Sequence, residues 1–117
     1  MSRDHPYVQQ VLNKLAGMGL HPELESGRKQ LISLGSGSEI HLKWRERGAT
    51  HGWEIDSFNP ELSDFLMLVM GDDVWIIPAN RVRVFEITSP GDPRRWVSSA
   101  ELRKHGDEFL GAWNQLR

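Results

Sequence analysis

A chain of 117 residues with no cysteine and a formal net charge of −2 is long enough to bury one core without metals or disulfides as staples. Its composition excludes a disulfide framework, thiolate metal sites and redox chemistry at sulfur. The longest uninterrupted apolar run, Phe65 to Met70, falls far short of the roughly 20 residues that span a bilayer, and Met1-Ser-Arg-Asp-His-Pro lacks an apolar signal core, so the sequence predicts one soluble cytoplasmic domain with no membrane contact.

Asp4 is placed to cap a first helix, with Pro6 near its first turn and Val8, Val11, Leu12 and Leu15 at helical spacing. This helix is predicted over roughly 7–18. Gly17 and Gly19 end it, and His21-Pro22 opens an irregular connection through Ser26-Gly27. Lys29 to Leu34 reads as a short strand, and Gly35-Ser-Gly-Ser38 as either a hairpin turn or a phosphate-approaching loop, although its spacing fits neither nucleotide-binding fingerprint. From Glu39 to Arg45 the alternation is clean: Ile40, Leu42 and Trp44 share one face, and Glu39, His41, Lys43 and Arg45 share the other. Those four polar groups are either solvated or line a site.

Residues 46–63 read as a long connection containing two Gly, Asn59-Pro60 and scattered apolar residues. His51, Glu54 and Asp56 within it invite comparison with a metal site, but their spacing is not diagnostic. Asp64 to Pro78 is the most informative segment. After its first residue it is continuously apolar to Met70, as in a central strand covered on both faces, then turns at Gly71-Asp72-Asp73 and returns through Val74 to Ile77 until Pro78 stops the ladder. Arg81 to Ile87 offers one more strand. The chain end reads as helical, with Ser98 and Glu101 as a capping box, Asp107 as a second cap, and Phe109, Leu110, Trp113 and Leu116 as one apolar stripe. The whole predicts an α+β fold: a mixed central sheet of about 4–6 strands with an N-terminal helix and C-terminal helices.

Charge is unevenly distributed. Arg28, Lys29, Lys43, Arg45 and Arg47 make one basic segment, the stretch from Glu54 to Asp73 is acidic without a single Lys or Arg, and Arg81, Arg83, Arg94, Arg95, Arg103 and Lys104 restore positive charge. If the basic segments met on one face, they would form a phosphate-binding surface. Of the five tryptophans, Trp53 and Trp96 fall in predicted loops and are the candidates for a recognition surface.

The order of helix, strand hairpin, long loop, Asp64-Phe-Leu strand, Trp75-Ile-Ile-Pro strand and closing Ala112-Trp113-Asn-Gln-Leu resembles small prokaryotic members of the PD-(D/E)XK, or restriction-endonuclease-like, superfamily, particularly those related to intron-associated homing endonucleases. The resemblance runs over 40–116. It implies DNA binding and a Mg²⁺-dependent phosphodiesterase site, in which a carboxylate at one strand's end and an acid-x-lysine on the next hold the metal and position the attacking water. Lys43 takes the lysine place on that pattern. His41 stands where the acid belongs, and imidazole is a poor Mg²⁺ ligand. Glu39 shares the face of Lys43 but lies roughly 13 Å along the strand at about 3.3 Å per residue. The strand before it supplies no Asp, which leaves Asp64 as the metal-binding candidate.

Two function classes follow. One is a nucleic-acid-associated protein with a degenerate or divergent metal-dependent site around Lys43, His41 and Glu39, contacting DNA through Arg28, Lys29, Lys43, Arg45, Arg81 and Arg83. The other is a non-catalytic interaction module, an assembly subunit or inhibitor, using the acidic segment around Glu54, Asp56 and Asp64 with an exposed Trp53. DNA, a protein partner and a second copy of the chain all remain open as partners.

Overall fold

A computed structural model of the chain describes residues 6–25, 31–46 and 52–117. Helix α1 spans Pro6–Gly17 and buries Val8, Val11 and Leu15, the stripe that its spacing predicts. Its Asp4 cap lies outside the described residues. A two-residue strand β1 (Glu23–Leu24) follows in what the sequence suggested was irregular chain, paired with β2 (Leu31–Ser33). A turn over Gly35-Ser36-Gly37, with the Leu34 amide donating to Ser38 O at 2.9 Å, joins β2 to β3 (Glu39–Arg45). The glycines therefore close a hairpin.

Strand β5 (Phe65–Met70) lies parallel to β3 and antiparallel to β6 (Asp73–Pro78), completing a five-stranded sheet in the order β1-β2-β3-β5-β6. Gly71 makes the β5–β6 turn with φ +61°, a backbone conformation that costs glycine little. Alternation in β5 then divides two cores. Met67 and Val69 join Ile40, Leu42 and Ile76 against α1, while Leu66, Leu68 and Met70 join Trp75 and Ile77 on the opposite face.

A second sheet covers that opposite face. It comprises β4 (Gly52–Glu54), β7 (Glu86–Ser89) and β8 (Asp92–Ser98), antiparallel in the order β4-β8-β7. The long connection of the sequence reading thus contains a strand, and Trp96, expected in a loop, sits on β8. Gly52 is required where β4 meets β8, because its φ is +136° and a Cβ there would run into the Val97 carbonyl.

Two other predicted elements differ. The segment 81–87 is not one strand: Ala79–Phe85 is a 3-10 helix that buries Val82 and Phe85 three residues apart, and only Glu86 onward is extended. The chain end is not one helix. Helix α2 (Ser99–His105), capped by the Ser98 hydroxyl accepting from the Glu101 amide at 3.3 Å, stops at Gly106. A 3-10 turn at Asp107–Phe109, an isolated bridge between Leu110 and Trp75, and a second 3-10 turn at Trp113–Leu116 follow. Asp107 makes no side-chain cap. Phe109 packs into the core under the second sheet and Leu116 into the core under α1, which no single helix face could serve.

The result is an α+β fold with a mixed five-stranded sheet, an N-terminal helix and C-terminal helices. Among the described residues no helix is long and apolar enough to cross a membrane. Leu68 is fully buried, whereas Leu62 is 66% exposed. In urea denaturation Leu68→Ala should therefore cost about 2–5 kcal/mol and Leu62→Ala less than about 0.5 kcal/mol. Equal losses would contradict this layering.

Candidate nucleic-acid interface

The polar face of β3 turns toward the second sheet and ends up inside the fold. Ile40 and Leu42 pack on α1, and Trp44 meets Tyr7 with ring centroids 5.9 Å apart. On the other face, the His41 ring stands edge-on to Phe58 at 5.7 Å and its Nε2 lies 3.4 Å from Ser57 Oγ. Only 4% of His41 is exposed. Burial first, then the charge of Lys43, pushes its pKa down from 6.5 to about 4, so the imidazole is neutral at neutral pH.

Lys43 is half-buried. Loss of solvent lowers its pKa below the ordinary lysine value, and the negative charges of Glu54 and Asp56 partly oppose that shift. Among the described residues, neither carboxylate forms an ion pair with it. Arg45, next on this face, donates from Nη1 to Gly52 O at 2.7 Å, tying β3 to the start of β4.

The other wall comes from β4, the turn after it, and β8. Trp53 pairs with Val97, and Glu54 with Trp96, across the second sheet. Asp56 accepts from the Arg95 amide at 2.6 Å, the Ile55 amide donates to Arg95 O, and the Arg95 guanidinium reaches Phe58 O and Glu86. These bonds hold residues 55–58 over β3. Arg94 is forked by Asp92, lies 3.9 Å from Glu54 and stacks over Trp96 at 5.2 Å. The fork also holds the Asp92 carboxyl down at about 2. Between these walls opens a cleft of about 300 Å³, lined by residues 42–45, Trp53, Glu54 and Trp96.

The sequence-predicted residues do not all meet here. Lys43, His41 and Arg45 do. Glu39 and Asp64 form a separate pair at the other end of the ladder, the Glu39 amide donating to Asp64 Oδ2 and the Asp64 amide to Glu39 O, both at 2.8 Å. Lys43 stands opposite Leu68, so Asp64 lies roughly 13 Å down β5 from that rung. Arg81 and Arg83 sit on the 3-10 segment that leaves the sheet after Pro78. That is the end opposite Arg45, about 16 Å away along the strand. Arg81 pairs with Glu108 and lies over Phe109, and Arg83 is exposed. Arg28, Lys29, Arg47 and His51 lie outside the described residues.

Trp53, expected at the surface, is 1% exposed, donates its indole N–H to Val69 O at 3.0 Å and packs edge-to-face on Trp75. Its place is the core. The sequence groups Glu54 with Asp56 but gives no sign that Trp96 lies beside them, because the pairing of β4 with β8 has no local signal. Arg94 over Trp96 was missed as a pair; its signal was an aromatic two residues from an arginine, the spacing of one strand face.

The donor set does not suit Mg²⁺, which wants several hard oxygens around one point. His41 offers a nitrogen, Asp64 is rungs away, and among the described residues no three His, Asp or Glu side chains group as metal ligands. No family model, curated protein or solved structure matches the chain.

Because His41 is neutral in the fold and binds a proton near pH 6.5 once unfolded, the unfolded state takes up more protons between those values. Stability that is whole above pH 6.5 should therefore decline as pH falls from 6.5 toward 4, and His41→Gln should flatten that slope. An NMR titration should find this imidazole still neutral at pH 5; a midpoint near 6.5 would contradict its burial.

Proposed function

We propose that this chain is a nucleic-acid-associated protein of nuclease-like fold, which grips the phosphate backbone of DNA at the inter-sheet cleft and has a degenerate metal site. The observation that carries this reading is that Lys43, Arg45 and Trp96 line one opening, with Arg94 stacked over the Trp96 indole beside it. Cationic groups interleaved with an aromatic provide both phosphate attraction and a surface for sugar and base. Lys43 is the primary contact, because Arg45 is already committed to Gly52 O and Arg94 to Asp92.

Degeneracy follows from how the carboxylates are used. Asp56 holds the Arg95 amide, Glu54 leans toward Arg94, and a neutral imidazole fills the acid's place beside Lys43. Of these, Asp56 is bonded to the second sheet, and among the described residues no cluster of carboxylates is left beside Lys43 to hold a metal. Arg81, paired with Glu108, and Arg83 stand at the other end of the sheet and take no part in the cleft.

DNA affinity should fall steeply with added salt, and Lys43→Ala should weaken binding and lower the slope of log affinity against log salt by about 1. Incubation with Mg²⁺ or Mn²⁺ should leave the DNA intact. Absence of affinity at low salt would sink the proposal, and co-purification of a protein partner with it would favour the interaction module. Metal-dependent cleavage abolished by Lys43→Ala would overturn degeneracy alone.

A further inference from the structure

The shape and chemistry of the cleft narrow the kind of nucleic acid it suits. Lys43 is set back between two sheets, and a volume of about 300 Å³ stands at the lower end of pockets that hold small organic ligands. A duplex presents its phosphates on a broad convex surface, whereas a single strand can pass one nucleotide into a recess. Trp96 offers that nucleotide an indole in the cleft wall, and Arg94, fixed over the indole at 5.2 Å by its fork to Asp92, offers a guanidinium plane. Both groups stack on bases.

Glu54 adds a discriminating contact. Its side chain is 41% exposed, its nearest described cation stands at 3.9 Å, and it flanks Trp96 in the same lining. A carboxylate only accepts hydrogen bonds. It therefore favours a base that presents an exocyclic amine and repels one that presents a carbonyl at the same position.

We infer that the cleft binds one unpaired, amine-bearing nucleobase of single-stranded nucleic acid, with the base stacked at Trp96, its amine on Glu54 and the adjoining phosphate on Lys43. This rests on the nucleic-acid reading and specifies its ligand. Cytosine presents an amine at C4 and an acceptor at N3 where uracil presents a carbonyl and an N–H, so with similar rings to stack the two separate recognition by Glu54 at C4 from stacking.

The test is fluorescence anisotropy at low salt with the full chain and three probes of equal length: a deoxycytidine oligomer, a deoxyuridine oligomer and a duplex. The deoxycytidine strand should bind about tenfold tighter than either other probe, in line with one charge-assisted hydrogen bond. Glu54→Gln should erase the preference for deoxycytidine over deoxyuridine. Trp96→Ala should lower single-strand affinity about tenfold, and Trp96→Phe, which keeps an aromatic on β8, should lower it less. A duplex that binds as tightly as the deoxycytidine strand, or a preference unchanged in Glu54→Gln, would overturn the inference and leave the DNA-binding proposal standing. Failure of all three probes to bind would overturn both.

Discussion

The structure depends on one strand being covered twice. Residues 65–70 alternate into two cores that share no side chain, and a strand with apolar groups on both faces is stable only when each face has its own cover. Helix α1 supplies one cover and the second sheet supplies the other. Each fully buried Leu or Met on this strand contributes about 1.5–3 kcal/mol relative to exposure, so removing either cover would cost more than a small domain holds in reserve. Trp53 fastens the second cover. Its indole donates to a β5 carbonyl while its ring packs on Trp75, combining a directional bond with a large apolar contact.

What that arrangement does to β3 produces the cleft. The second sheet is centred on β5 and β6, yet its edge strand β4 reaches back over β3, where Arg45 bonds to Gly52 O. The polar row of β3 therefore cannot lie open to water, and it cannot be packed as core. His41 resolves the conflict by staying neutral against Phe58. At Lys43 partial desolvation lowers the pKa, and the charges of Glu54 and Asp56 oppose that shift. A half-desolvated ammonium gains more from an arriving phosphate than a fully solvated one does.

Much of the first sheet was legible in the sequence, and the second was not. The continuous apolar run at 65–70, bounded by turn residues, reads as a doubly covered strand, the alternation at 39–45 marks the two faces of β3, and Val8, Val11 and Leu15 repeat at helical spacing. These patterns are local. By contrast β4 has three residues, and β8 buries Val97 alone while carrying Pro93, Arg94 and Arg95; their strand character comes from pairing with each other across more than forty residues. The same blindness explains Trp53, read as exposed because its strand was read as a loop. Of the stripe at 109–116, Phe109 and Leu116 are buried but enter different cores, so no one helix carries them, and Leu110 is 42% exposed. The polar row of the site could be read from β3; its opposite wall required the tertiary fold.

Lys43 is held in the recess between the sheets and not on the outer wall of the protein. With only four lysines in the chain, a side-chain NMR titration with ¹³C-labelled lysine can follow each ammonium separately. The Lys43 resonance should titrate below the ordinary lysine value, and Glu54→Gln should lower it further by removing a charge that opposes the shift. A midpoint equal to that of an exposed lysine, unmoved by that substitution, would contradict the account.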